Sequence, residues 1–180
     1  MTTAEALLDP TGMDAREDDA TLAPRPSTLA GLTVGLLDNT KPNTTMFLEK
    51  LGDLLRASEG LAGTRLYTKD YFGTPVAPEL LATIVDEVDV VVTGVGDCGS
   101  CSAATVADGI LFERAGVPVV SIVSDAFYPS GRAMAAVQGF PGFEFHAVPH
   151  PFASLDGAQL DAHAAETAPV AVRILTGGDV

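Results

Sequence analysis

The feature that most constrains the fold is a regular alternation of short apolar runs with segments of helical periodicity. It begins with LTVGLLD (Leu32–Asp38), which starts after Gly31 and ends in the polar turn DNTKPN. In the next segment, TTMFLEKLGDLLRA (Thr44–Ala57), apolar residues recur at the spacing of one helix face, and Thr44 is a candidate helix cap. Strands that alternate with helices predict a parallel sheet with right-handed crossovers.

The alternation continues to the end of the sequence. The later elements are a strand in TRLYTKD, a helix over Pro78–Val88, a buried strand over Asp89–Gly96, a helix over Ser100–Gly116 closed by Gly116, a strand over Val117–Asp125, a helix in SGRAMAAVQGF, a strand in FEFHAVPHPF, and one or two helices in GAQLDAHAAETAPVAVRIL broken near Pro169. Five such strands predict a single three-layer α/β domain over residues 31–180, with a parallel, flavodoxin-like sheet of order 2-1-3-4-5.

The first 30 residues differ from the rest, because they are polar, acidic and interrupted by prolines. We interpret residues 1–30 as an N-terminal arm without a core of its own. One alternative is a disordered tail, and the other is an arm that packs on a second subunit. The apolar pieces ALLD and TLA favour the packed arm.

The charge of the chain excludes two classes of partner. Lys and Arg total 10 against 24 Asp and Glu, for a formal net charge of −14. Nucleic acids and anionic membrane surfaces both require a basic footprint, so we expect neither as a partner. The sequence also has no apolar run of membrane-spanning length and no secretory signal at its start, and we expect a cytoplasmic protein.

Both cysteines of the chain lie in one glycine-rich turn, GVGDCGSC, directly after the predicted third strand. In a sheet of the predicted order, this turn lies beside the loop DNTKPN after strand one and the loop SDAFYPSG after strand four, with PHP after strand five at the rim. Open α/β sheets bind ligands at this carboxyl edge. In the cytoplasm, two close cysteines are more often catalytic or metal-binding than structural.

The turn is suited to thiol chemistry. If Ser100 lies near the helix cap, Cys101 falls in the first helical turn, where free N–H groups and the helix dipole favour a thiolate. Cysteines so placed have pKa values of roughly 3.5 to 7.5, against about 8.5 when free. We expect Cys98 to be the more exposed nucleophile and Cys101 to resolve it as a disulfide. Gly96 and Gly99 permit tight turns and the close approach of a ligand.

Other polar residues of the converging loops are candidates with plain structural alternatives. Asp97, Asp125 and His150 are candidate catalytic groups, and each could instead be a turn, cap or packing residue. The candidate substrate-binding residues are Asn39, Lys41 and Asn43 in the first loop, with Gly96, Gly99, Ser100 and Ser102 in the cysteine turn. Lys41 could bind a substrate carboxylate or favour a thiolate.

The sequence resembles a known family at this turn. GDCGSCSAATVADGILFERAGVPVVSIVSDAF resembles the UGSC family of selenoproteins and their cysteine forms, as do GLLDNTKPN, LAPRP and PGFEFHAVPHPF. In that family's motif, selenocysteine occupies the position of Cys98, and Gly99, Ser100 and Cys101 complete it. FERAGVPVV is more distantly similar to the selenocysteine subunit of glycine, sarcosine and betaine reductases and to the proline reductase subunit. The resemblance implies reductive or nucleophilic thiol chemistry by Cys98, with Cys101 as its resolving partner.

Three hypotheses of function follow. The first is a thiol-dependent oxidoreductase that acts on a small-molecule substrate and is restored by an external thiol reductant. The second is a cofactor-independent isomerase, racemase or lyase, which the close spacing of the cysteines disfavours. The third is a non-catalytic or metal-binding subunit of a complex, in which Asp97 and His150 could join the cysteines. No Walker-type loop is present, and we expect no dinucleotide, ATP or other cofactor; we also expect a homodimer.

Overall fold

A computed structural model describes residues 20–178 of the chain, and there strands and helices alternate as the sequence predicts. The elements are β1 (Thr33–Asp38), α1 (Thr44–Glu59), β2 (Gly63–Thr68), α2 (Pro78–Glu87), β3 (Val90–Gly96), α3 (Gly99–Arg114), β4 (Val119–Ser124), a 3₁₀ turn (Asp125–Phe127), α4 (Tyr128–Val137), β5 (His146–Val148) and α5 (Gly157–Thr176). In this described part of the chain, no helix is long and apolar enough to cross a membrane.

The five strands form one parallel sheet of order β2-β1-β3-β4-β5, which confirms the predicted flavodoxin-like topology. Helices α1 and α5 cover one face of the sheet, and α2, α3 and α4 cover the other. The arrangement is therefore the predicted three-layer domain. Because all strands are parallel, their carboxyl ends meet at one edge, where Asp38 of β1 lies in register with Gly94 of β3.

Burial explains why the central strands have such apolar sequences. Every residue of β3 and β4 is buried, since both faces of these strands are covered by helices. By contrast, β2 is an edge strand, and Leu66 on it is exposed. The apolar side chains divide into two clusters, one under α1 and α5 and one under α2, α3 and α4.

Two local predictions are wrong, each for a physical reason. The last helix is not broken at Pro169, because α5 runs through this residue to Thr176. Its buried face, which includes Leu160, Ala164 and Ala171, offsets the hydrogen bond that proline removes. Thr44 does not cap α1. The N-cap is Asn43 in left-handed backbone conformation, and the Thr44 hydroxyl lies instead 3.4 Å from the backbone N of Val95.

The described part of the predicted arm packs on the chain's own domain. Leu29 is completely buried and Ala23 nearly so. The buried carboxylate of Glu113 accepts two hydrogen bonds from the Arg25 guanidinium and one each from the backbone N–H groups of Ala23 and Val119, all at 2.8–3.0 Å. Residues 1–19 of the arm lie outside the described residues, and the boundary at residue 30 stays a prediction.

We expect the stability of the fold to decrease in mild acid because of His146. Burial, and then the charge of Arg173, lower the pKa of this imidazole in the folded protein. The unfolded chain therefore binds the proton more readily, so stability is full above the unfolded value of about 6.5 and is lost as pH falls below it. Urea denaturation at a series of pH values should show this loss, and it should be smaller in His146→Gln. An equal pH dependence in both proteins would contradict the assignment.

Candidate functional site

The predicted site residues of four loops lie together at the carboxyl edge of the sheet. Asn39 donates to the backbone O of Val95 at 2.9 Å, which joins the loop after β1 to the end of β3. Asp97, directly after β3, contacts His150 from the loop after β5. Asp125, directly after β4, accepts a hydrogen bond from the backbone N of His150 at 3.1 Å. The predicted convergence of these loops is thus present.

The cysteine turn forms the start of α3. Cys98 is the N-cap of this helix, and its sulfur accepts a hydrogen bond from the backbone N–H of Cys101 at 3.3 Å. The two cysteines are joined by a disulfide, with 5.3 Å between their Cα atoms. Cys101 is completely buried in the first helical turn, whereas Cys98 is only partly buried. The cap lies at Cys98 rather than near Ser100, which is exposed.

The glycines and serines of the turn have different local roles. A Cβ atom at Gly96 would lie 2.5 Å from the Cα of Ser102, so only glycine lets the strand end pass this close to the helix. Ser102 is buried and donates to the backbone O of Gly96 at 3.0 Å. At Gly99, a Cβ would meet nothing nearer than Ser130 Oγ at 3.8 Å, so the space above this residue is open. Ser100 Oγ lies 3.7 Å from the Cys98 sulfur.

Asp97 and His150 form a hydrogen-bonded pair beside the disulfide. Asp97 Oδ1 lies 2.8 Å from His150 Nδ1, and its Oδ2 accepts from the backbone N of Ala153 at 3.0 Å. Burial alone would raise the pKa of Asp97, but hydrogen bonds from Ser124, His150 and the loop backbone outweigh it and lower that pKa. The carboxylate is therefore ionised at neutral pH and can only accept, which makes His150 Nδ1 the donor.

Several residues contact His150 and fix its position. Ser124 Oγ lies 3.5 Å from Nδ1, Asp125 binds the backbone N–H, and the ring packs edge-on against Phe127 with 5.4 Å between centroids. About a third of the side chain remains exposed. None of residues 20–178 forms a hydrogen bond with Nε2. This nitrogen is thus available at the open side of the ring.

The asparagine side chains of the loop after β1 form hydrogen bonds with the protein backbone. Asn39 is completely buried, and its Oδ1 accepts from the backbone N of Lys41 at 3.2 Å. The Asn43 amide donates to the backbone O atoms of Phe152, Ala153 and Leu155 at 2.9–3.3 Å. Lys41 Nζ lies 3.9 Å from the centre of the Phe72 ring. Asn39 and Asn43 therefore shape the site, and a role for them or for Lys41 in binding substrate stays a prediction.

We expect Asn43 to anchor the loop that carries His150. Asn43 has φ 69°, so Asn43→Gly preserves the backbone conformation and removes only the three hydrogen bonds of the amide. It should lower the free energy of unfolding by about 1–2 kcal/mol and speed proteolysis within residues 150–155. Asn43→Ala should cost about 1–2 kcal/mol more, because alanine resists a left-handed backbone. Unchanged proteolysis in both variants would show that the loop is held by other contacts.

Several residues at or near the carboxyl edge of the sheet are not among those predicted from the sequence. Ser124 and Phe127 both contact His150, and their position beside Asp125 at the end of a strand is the one sequence signal for them. A buried ion pair also joins Lys69, directly after β2, to Asp108 of α3, with 2.6 Å between Nζ and Oδ2. These two residues are 39 positions apart, and nothing in the sequence pairs them.

The described residues contain no cluster typical of a metal site. Within residues 20–178, no group of three or more His, Cys, Asp or Glu side chains could hold a metal ion. Asp97 and His150 bind each other, and both cysteines are occupied in the disulfide.

The fold and the site together define a flavodoxin-like α/β protein with a Cys-x-x-Cys disulfide at the carboxyl edge of its sheet. The chain belongs to the UGSC family, whose family model matches residues 6–177. This confirms the resemblance seen in the sequence, whereas the more distant similarity to the reductase subunits stays a prediction.

Comparisons with curated proteins and with solved structures give no information about function. No curated protein matches the chain. Among solved structures, it is similar to a Leishmania major protein described as "putative MAR1 ribonuclease", with 13% sequence identity and a TM-score of 0.36 over 76% of this chain and 90% of that one. At this TM-score, the likeness carries no argument.

Proposed function

We propose that the protein is a thiol-dependent oxidoreductase, in which Cys98 attacks a small substrate and Cys101 resolves the product as a disulfide. The observation that carries the proposal is the Cys98–Cys101 disulfide itself, placed at the first turn of α3 and at the open edge of the sheet. Cys98 is partly exposed and Cys101 is buried, which suits an attacking and a resolving thiol respectively.

The reaction is a two-electron reduction. The Cys98 thiolate attacks atom X of a substrate X–Y bond, and Y leaves with the bonding electrons and takes up a proton. The Cys101 thiolate then attacks the Cys98 sulfur, and X leaves with the electrons of the Cys98–X bond and takes up a second proton. The substrate is reduced to X–H and Y–H, and the dithiol is oxidised to the disulfide. An external thiol reductant restores the pair by thiol–disulfide exchange.

The residues around the disulfide support this chemistry. The hydrogen bond from the Cys101 N–H to the Cys98 sulfur and the dipole of α3 both favour a Cys98 thiolate. Asp97 fixes the Nδ1 proton of His150, which leaves Nε2 to accept the proton of the Cys98 thiol and then to give it to the leaving group. Asp125 and Ser124 act as positioning residues for the imidazole.

Of the alternatives, the racemase-type function has less support. Two thiols that act on opposite faces of one carbon need separate positions, whereas these two lie on one helical turn and one is buried. A metal-binding or non-catalytic subunit, a partner protein, a homodimer and a cytoplasmic location all stay predictions.

Intact mass measurement with thiol alkylation tests the proposal, before and after mild oxidation, with metal analysis of the same sample. The reduced protein should take two labels, and the oxidised protein should be two hydrogens lighter and take none. Alkylation under denaturing conditions is the control that distinguishes a disulfide from buried thiols. If both thiols stay free under oxidant, the redox mechanism is wrong; stoichiometric metal in the sample would favour the metal-binding alternative.

A further inference from the structure

The Cys98 sulfur lies beside two hydrogen-bond donors of its own turn. The backbone N–H of Cys101 donates to it at 3.3 Å, and Ser100 Oγ lies 3.7 Å away, within reach of a sulfur acceptor. A disulfide sulfur carries no hydrogen, so the Ser100 hydroxyl is the donor in this contact. Among residues 20–178, the Cys98 sulfur is the one hydrogen-bond partner of this hydroxyl. The Ser100 hydroxyl is therefore not committed to another acceptor in the described part of the chain.

The charges around Cys98 give such a donor a function. Asp97 directly precedes Cys98 and is ionised at neutral pH, and a nearby like charge disfavours a thiolate. Lys41, which the sequence offers as a group that could favour a thiolate, lies instead over the Phe72 ring, 3.9 Å from its centre. A neutral hydroxyl that contacts the sulfur can offset the effect of Asp97 without adding a charge to the turn, and Ser100 is placed to do so.

We propose that the Ser100 hydroxyl stabilises the Cys98 thiolate by a hydrogen bond, an inference that rests on the proposed function. Ser100 donates to the thiolate and keeps its own proton throughout. When a lone pair of the thiolate forms the bond to substrate atom X, the negative charge leaves with Y, and the hydrogen bond weakens because the sulfur is then neutral. Ser100 is exposed, so its side chain can turn with the sulfur as the disulfide opens and closes.

The same hydrogen bond should shift the redox equilibrium of the cysteine pair. Hydrogen bonds to charged acceptors are stronger than those to neutral ones, so Ser100 stabilises the reduced, ionised pair more than the disulfide. The disulfide is then easier for an external thiol to reduce. One contact of Ser100 thus increases the amount of thiolate available for attack and favours the restoration of the pair after each turnover.

The test measures how the rate of attack by Cys98 depends on pH, with the aromatic disulfide dithiobis(nitrobenzoate) as substrate for the reduced, full-length protein. Attack by Cys98 releases a first coloured thiol in a phase that depends on probe concentration, and resolution by Cys101 releases a second in a phase that does not. In the first phase, Ser100→Ala should lower the thiolate fraction at low pH about tenfold, the lower end of the effect of a hydrogen bond to a charged group. A more basic thiolate is also a better nucleophile, with a Brønsted slope of about 0.4–0.5, so each thiolate should attack about threefold faster.

The pH profiles of wild type and Ser100→Ala should therefore cross. At low pH the variant should react about threefold more slowly, because about tenfold less thiolate reacts about threefold faster. At high pH, where both proteins are fully ionised, it should react about threefold faster than wild type. Ser100→Thr keeps the hydroxyl and should follow the wild-type profile. Ser130 Oγ borders the open space above Gly99 without a hydrogen bond to Cys98 among residues 20–178, so Ser130→Ala is the matched control and should leave the profile unchanged.

Equilibration with reduced and oxidised glutathione at high pH is a second readout. The equilibrium constant for reduction of the disulfide should be about tenfold lower in Ser100→Ala than in the wild type, because the variant loses the hydrogen bond to the thiolate. Parallel pH profiles, at whatever spacing, or equal equilibrium constants overturn the role of Ser100 and leave the oxidoreductase intact. A wild-type protein whose cysteines do not react with the probe overturns both.

Discussion

Replacing Cys98 with serine should reduce the reaction with dithiobis(nitrobenzoate) to the background rate of the buffer. The proposed function assigns the attack to Cys98, because it is the partly exposed cysteine of the pair and lies at the N-cap of α3, a position that favours a thiolate. A serine hydroxyl at this position is not ionised near neutral pH and does not attack a disulfide. The remaining thiol, Cys101, is completely buried and should react slowly or not at all. Absorbance of the released thiol measures the rate.

Replacing Cys101 with serine should have a different result. Cys98 still attacks, but the mixed disulfide has no resolving thiol, so one coloured thiol is released per chain and intact mass shows the trapped adduct. Because the chain has two cysteines in all, no other thiol can resolve it. Ser130→Ala, near Gly99, is the control for disturbance beside the turn, and it should release both thiols. Rapid reaction of Cys98→Ser, or full turnover of Cys101→Ser, would reverse the assigned roles.

The largest loss of stability should come from Glu113→Ala. The side chain of Glu113 is completely buried, its partner Arg25 is 16% exposed, and the carboxylate accepts four hydrogen bonds from three residues in two segments of the chain. Removing it leaves a partly buried guanidinium and two backbone N–H groups without their acceptor. Breaking a buried ion pair in this way costs about 3–5 kcal/mol. Urea denaturation should show a lower midpoint with an unchanged slope.

Glu87 supplies the matched control for this prediction. Its carboxylate also binds an arginine at 2.8 Å, but the side chains of Arg65 and Glu87 are 54% and 39% exposed. Glu87→Ala should therefore lower the free energy of unfolding far less than Glu113→Ala does, because solvent screens an exposed ion pair. If Glu113→Ala costs no more than Glu87→Ala, the segment around Ala23 and Arg25 does not contribute to the stability of the domain.

The sheet order could be predicted because each strand and helix shows its own hydrophobic periodicity in the sequence, and the alternation of the two indicates a parallel sheet. The unbroken apolar run before Gly96 indicates a strand covered on both faces, and the later strands and helices follow the same rule. Pro169 shows where local reasoning fails. Proline is unfavourable in an isolated helix, but the packing of α5 against α1 and the sheet outweighs that local cost. The residues next to Pro169 in the sequence do not reveal this packing.

The candidate site could also be predicted only in part. The residues that end strands, such as Asp97 and Asp125, could be assigned to one edge because parallel strands end together. Their specific partners could not be assigned. Asn43 binds carbonyl groups more than 100 positions away, and Lys69 meets Asp108 across 39 positions. Such pairs depend on how loops and helices pack in three dimensions, for which the sequence carries no periodic signal.

The burial of α3 has a consequence for the formation of the Cys98–Cys101 disulfide. The helix packs against β3, β4 and α4, and most of its residues, from Cys101 to Glu113, are buried. A helix enclosed in this way cannot shift without disturbing a close-packed core. The change between dithiol and disulfide should then be confined to side-chain torsions at Cys98 and Cys101. The backbones of the two oxidation states should superimpose, and a reductant that approaches from solvent meets the same shape in both.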